Sequence, residues 1–175
     1  MSDATDQLVA RGRRPVAGIM GAADAAPAHV RDAERLGQLL AERGWVVLTG
    51  GRPLGVMEAA LRGAKRVRGS LTIGILPSAG ESPSAFVDIA IRTDLGHGRN
   101  NVNVLSSDVV FACGVEGPGT ASEVALAVKN GRPVVLVSPS EAASRFFWEL
   151  PGAKIRVVPS ADEAAAVAVS LLDNR

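Results

Sequence analysis

The stretch GVEGPGTASE, residues 114–123, places three glycines, a proline, a threonine and two carboxylates within ten positions. It follows the apolar run VVFAC (109–113) and leads into the helical spacing of TASEVALAVKNG (120–131). A helix start offers unpaired N–H groups and the positive end of a dipole, which suits a phosphate. Glycine lets a ligand come close to the backbone. Glu123 in such a place has the chemistry to polarise a sugar hydroxyl, to act as a base toward water, or to stabilise a developing cation. The same residues have a second reading. Thr120 and Glu123 spell T-x-x-E, a capping box whose two side chains satisfy the first N–H groups of the helix without any ligand. Pro118 and the glycines on either side of it favour the ligand reading, because a cap does not require them.

Two other turns share this grammar: GIMGAAD (18–24) and LTGGRPLGVME (48–58). Each sets glycines between an apolar run and a helical one. Together the three turns predict a phosphorylated ligand, with Gly21, Gly50, Gly51, Gly55, Val56, Met57, Gly117, Pro118, Gly119 and Thr120 as binding candidates. No Gly-Lys-Ser/Thr follows any of them and none fits G-x-G-x-x-G, so ATP hydrolysis and hydride transfer have no support.

For these turns to meet, the elements between them must form one sheet. Strands are predicted at 15–21, 45–51, 71–78, 87–92, 109–115, 132–139 and 154–160, and helices at 26–44, 55–69, 99–108, 120–131 and 161–173. The strands are continuous apolar runs separated by helices, which predicts a parallel sheet covered on both faces. The fold class is therefore α/β: a doubly wound, Rossmann-like open sheet of about seven strands. All strand-to-helix turns of such a sheet lie on one edge, and ligands bind there where the strand order reverses. Residues 1–13 read as a disordered tail and 14–175 as a single domain. The segment 140–152, with Phe146, Phe147 and Trp148, is a helix across the sheet edge or part of a subunit contact.

Composition limits the partners. Nineteen cations against eighteen anions leave a formal charge of +1, which argues for neither nucleic acid nor an anionic membrane. The stretch RGRRPVAGIMGAADAAPA (11–28) has the outline of a secretory signal, but its apolar part is short and broken by Gly18 and Gly21, and a first core strand explains it better. With one cysteine, Cys113, no internal disulfide forms, and a cytoplasmic setting is expected. Cys113 reads as inert packing. His29 and His97 have no ligand-spaced companions, so no metal site is expected. None of Lys65, Lys129 and Lys154 falls in a glycine-rich strand-end turn, which argues against pyridoxal chemistry. The basic face of Arg62, Lys65, Arg66 and Arg68 is read as solvated.

GGRPLGVMEAALRGA (50–64), GHGRNN (96–101) and GPGTASE (117–123) together resemble the Lonely Guy (LOG) family, long mislabelled lysine decarboxylases, and within it the short branch containing molybdenum cofactor carrier proteins. The resemblance spans about residues 15–137. It implies a Rossmann-like fold, a phosphate site and a homodimer or homotetramer. The LOG motif P-G-G-x-G-T-x-x-E falls on Val115 through Glu123. Gly117, Gly119, Thr120 and Glu123 match it, while Val115 and Glu116 stand where the family has Pro and Gly. Glu116 would repel a phosphate if it pointed inward. The family's catalytic Arg falls on Arg99, with Asn100, a further ligand-binding candidate, where Lys is usual, and its G-G-x-x-G-L-M segment falls on Gly50 to Met57. The carrier branch implies that the chain binds a pterin phosphate, the molybdenum cofactor, or a nucleoside monophosphate, with no resident cofactor required. Asn101 and Asn103 are candidates to line the same cleft. The LOG enzymes imply the alternative: hydrolysis of the N-glycosidic bond of a nucleoside 5′-monophosphate, with Glu123 and Arg99 catalytic.

Overall fold

The computed structural model describes residues 13–172. The expected tail falls outside them except for Arg13, whose Nη2 donates to both carboxylate oxygens of Asp108 at 2.8 and 2.9 Å.

Seven parallel strands form one sheet: β1 (Val16–Met20), β2 (Val46–Thr49), β3 (Thr72–Leu76), β4 (Ile89–Arg92), β5 (Val109–Cys113), β6 (Val134–Val137) and β7 (Ile155–Val158). Their order across the sheet is β4-β3-β2-β1-β5-β6-β7. The chain builds outward from β1 to β4, then returns to the other side of β1. The strand order therefore reverses between β1 and β5, which pair from Ala17↔Val109 to Met20↔Ala112.

Six helices cover the sheet: α1 (Pro27–Glu42), α2 (Gly55–Ala64), α3 (Arg99–Leu105), α4 (Pro118–Lys129), α5 (Glu141–Trp148) and α6 (Ala161–Ala168). One core lies under α1, α2 and α6, where Leu36, Leu40, Ala60 and Ala165 meet Ile19, Val47, Phe111 and Val135. The other lies under α3, α4 and α5, where Val104, Val124 and Phe147 meet Leu48, Val110, Ala112 and Leu136. Alternate residues of β5 and β6 thus face opposite layers, and both faces are dry. That is why these strands read as unbroken apolar runs. The outermost β4 differs: Ile89 and Ile91 are exposed.

Several predicted elements are shorter in the structure. The second helix stops at Ala64 and gives way to a turn through Gly69, whose φ is 78°. In α5, Phe147 turns into the core while Phe146 and Trp148 stay exposed, so this helix lies against the sheet through one aromatic ring. The basic face of α2 is not simply solvated. Arg62 and Arg66 both donate to Glu34 of α1, and Lys65 donates to Asp88. The Arg62 hydrogen bond is the largest influence on Glu34 and holds its carboxyl below the usual range. Two helices meet closely here: a side chain at Gly37 would strike the Ala60 carbonyl, and one at Gly63 the Glu34 carbonyl.

Candidate functional site

A cleft of 250 Å³ opens at the carboxyl edge of the sheet where the strand order reverses. Ile19 and Met20 at the end of β1, with Met57 of α2, give it an apolar floor. One wall is the β1 turn, Gly21 to Ala23, and Gly50 after β2. The facing wall is the β5 turn and the start of α4, Gly117 to Thr120. Glu123, Arg99, Asn100, His97 and Arg52 supply its polar groups.

The start of α4 decides between the two readings of T-x-x-E. The N-cap residue is Gly117, without any side-chain capping bond, and Pro118 is the first helical residue. Proline's fixed φ suits that first position and its missing N–H is not needed there. The helix therefore begins two residues earlier than the sequence pattern predicts. Thr120 and Glu123 end up inside it, buried and lining the cleft, and the capping box does not form.

Glu123 is 6% exposed. Its Oε1 accepts a hydrogen bond from Asn103 Nδ2 at 2.8 Å. Burial pushes its carboxyl up to about 7, against the opposing pull of the Asn103 hydrogen bond and the Arg99 charge. The group thus changes protonation near neutral pH, the range in which a carboxyl serves as either acid or base.

Arg99, the first residue of α3, is 8% exposed. Its guanidinium lies against Gly50, where any Cβ would collide with Nη1. Burial lowers its pKa, and Glu123 draws it back up. No hydrogen bond or ion pair holds this guanidinium among the described residues; it keeps its donors for the cleft. Asn100 beside it donates to Ser122 Oγ at 2.9 Å, and Ser122 Oγ donates to the Gly119 carbonyl at 2.6 Å, which ties α3 to the first turn of α4.

Glu116 does not point inward. Its Oε1 lies 3.3 Å from His29 Nδ1, and its Oε2 accepts from the Ala26 N–H at 3.5 Å, at the start of α1. The charge that would repel a phosphate is turned away from it.

Of the predicted binding residues, Gly21, Gly50, Met57, Asn100, Gly117, Pro118, Gly119 and Thr120 line the cleft with Arg99 and Glu123. Gly51, Gly55 and Val56 stand behind its wall. Gly55 has a φ of 50° and packs under the carbonyls of Ala22 and Ala23; Val56 donates its N–H to Ala22 O at 3.2 Å and packs its side chain on Gly21. Gly55 and Val56 join the β1 turn to α2, and Gly51 packs against Gly74 of β3, rather than reach the cavity. Asn103 acts through Glu123, and Asn101 accepts from Asn130 instead of lining the cleft. Arg52, Ala22 and Ala23 were not among the sequence candidates. Arg52 sat inside a turn already singled out for its glycines, and that was the available signal. None of the three lysines lines the cleft. Cys113 is fully packed, and burial pushes its thiol up, away from reactivity.

Comparison with solved structures finds the same fold at high identity. The molybdenum cofactor binding protein of Rippkaea orientalis is 48% identical, with a TM-score of 0.87 over 91% of this chain and 98% of that one. The molybdenum cofactor carrier protein of Chlamydomonas reinhardtii is 45% identical, with a TM-score of 0.85 over 92% of this chain and all of that one. An uncharacterized protein of Archaeoglobus fulgidus is 43% identical over 122 residues, 70% of this chain and 79% of the relative. Residues 14–167 match the SLOG cluster4 family, a span that carries every glycine turn, Arg99 and Glu123. The chain belongs to the SLOG cluster4 family.

Proposed function

We propose that the protein binds and carries a phosphorylated pterin, the molybdenum cofactor, in the cleft between β1 and β5. The observation that carries this reading is the buried Arg99 guanidinium, with no hydrogen-bond or ion-pair partner among the described residues, facing an α4 start whose glycines are open to solvent. A side chain at Gly117 or Gly119 would meet no atom of another part of the protein within 4 Å, so the space there is open to a ligand. Main-chain N–H groups of Gly119 and Thr120 would hold the phosphate, with Arg99 as the charged partner. The apolar floor of Ile19, Met20 and Met57 suits the flat ring system. A cleft of 250 Å³ is small beside ligand pockets of roughly 300–1,000 Å³. It takes the phosphate and part of the rings and leaves the remainder toward solvent, as cargo destined for hand-over requires. The names of the two structural relatives support the same ligand.

A second reading rests on Glu123. A buried carboxyl that titrates near 7, beside an arginine, is equipped to assist departure of a base from a nucleoside 5′-monophosphate. One pair of measurements separates the two. Protein purified from cells that make the cofactor is expected to carry a pterin phosphate and molybdenum, found by mass spectrometry and metal analysis. Incubation with AMP, GMP and CMP is expected to release no free base. Robust release that disappears in Glu123→Gln would replace the carrier reading with the hydrolytic one.

The assembly expected from the family resemblance, a homodimer or homotetramer, belongs to the same proposal, and sedimentation tests it. So does a cytoplasmic setting. Among the described residues no helix is long and apolar enough to cross a membrane.

A further inference from the structure

Arg52 lies in the β2 turn and lines the cleft beside Arg99. Its Nε is buried and has no hydrogen-bond partner. An unmet buried donor costs about 1–3 kcal/mol, so the position calls for an acceptor. The nearest acid is Glu81, on the loop between β3 and β4, and it does not supply one. Glu81 Oε1 stands 4.0 Å from Arg52 Nη1, at the outer limit of an ion pair, with both side chains about one-third exposed. The loop is anchored to the same turn, through the Ser84 N–H bonded to the Gly51 carbonyl at 2.8 Å. Arg52 and Glu81 both act electrostatically on Arg99, so the three charges stand around one space.

We propose that Arg52 is a second anion contact of the cleft, held in reserve by Glu81, and that the pair selects a dianionic phosphate monoester over a monoanionic phosphodiester. The inference rests on the reading of the cleft as a phosphate site and adds to it a residue and a selectivity. A monoanion is satisfied by Arg99 and the α4 start, and gains little by competing with Glu81. A dianion has the charge and the spare oxygens to draw Arg52 from its loose pair. Once drawn out, the guanidinium turns its planar fork to the phosphate, and the two form parallel bonds. Glu81 sets the threshold: it discounts any ligand that does not outbid its single charge.

The test is a ligand-observed NMR titration at pH 8, with phenyl phosphate as the monoester and methyl phenyl phosphate as the diester. At that pH the monoester is a dianion. Wild type is expected to prefer the monoester by about tenfold or more, the scale of one charge-assisted contact. Arg52→Gln is expected to weaken the monoester about tenfold and to erase the preference. Glu81→Gln is expected to tighten the diester several-fold and to narrow the ratio from the other side. If both probes bind wild type and Arg99→Gln abolishes binding, while Arg52→Gln and Glu81→Gln keep the wild-type ratio, the role of Arg52 is refuted and the phosphate site stands. If neither probe binds wild type, the phosphate site falls and the inference with it.

Discussion

The two walls of the cleft are both written in glycine, and for opposite reasons. On the β1–β2 side the glycines are crowded. A methyl group at Gly21 would meet Val56 at 2.5 Å, one at Gly50 would strike Arg99, and one at Gly55 would strike two carbonyls from a residue already at φ 50°. On the α4 side, a methyl group at Gly117 or Gly119 would meet nothing within 4 Å, and Gly117 has an ordinary extended φ of −139°. The first wall needs glycine so that the protein can pack against itself. In the second, no contact within the described protein requires it. Similar sequence motifs thus report two different things: one wall is scaffold, and the other, on the reading proposed above, is open to a ligand.

The sharpest break of this comparison is Gly55→Ala. It combines a left-handed backbone with overpacking and is expected to destabilise the fold by about 2–5 kcal/mol, measured by chemical unfolding. A loss under 1 kcal/mol would mean that this wall is not the packed one (threshold on the order of ordinary surface substitutions).

Glu123→Gln is next. The native carboxyl keeps its proton up to about 7, while in the unfolded chain it loses it near 4.5. Between those values the folded state binds more protons, so wild-type stability falls as pH rises, by about 3 kcal/mol in all, and levels off above 7. The glutamine variant lacks this slope. It is expected to match wild type at pH 4 and to exceed it at pH 8, with thermal melts at both values as the check. Equal melting at pH 8 would place Glu123 in a less costly environment than its burial indicates.

Gly50→Ala is expected to leave the fold standing, because the colliding atom is the far end of a flexible side chain. It should nevertheless displace the Arg99 guanidinium and weaken phosphate monoester binding about tenfold or more in the same NMR titration. The smallest effect is on stability at the bare wall. Gly119→Ala, in the first turn of α4, should leave stability unchanged or raise it by up to about 1 kcal/mol, while binding is weakened by the methyl group in the ligand's space. A variant of unchanged affinity would remove the ligand from that wall.

Much of this was legible in the chain. The apolar runs of the inner strands and their intervening helices dictated a doubly wound sheet, since a strand buried on both faces has no polar side to show, while the edge strands β4 and β7 keep exposed residues. The glycine turns fall on the carboxyl edge, and the residues resembling the LOG pattern pointed to Arg99 and Glu123, which the fold brings into one cleft there. Two places were beyond a local reading. T-x-x-E fitted both a cap and a ligand site, because a local pattern does not reveal that Pro118 has already begun the helix. Gly51, Gly55 and Val56 stand behind the cleft wall, and a turn that receives a ligand calls for the same residues as a turn that packs on its own protein.

By itself the sequence determined which segments are buried, in what order they alternate, and which turns carry small residues, because these follow from side-chain chemistry a few positions at a time. Direction was left to the tertiary structure. Only the pairing of β1 with β5 set Arg99 against Gly50, buried Glu123 beside Asn103, turned Glu116 toward His29, and brought Arg52 to the same space. The pKa of a carboxyl, the freedom of a guanidinium and the emptiness over a glycine depend on neighbours tens of residues away, and those neighbours exist only once the sheet has formed.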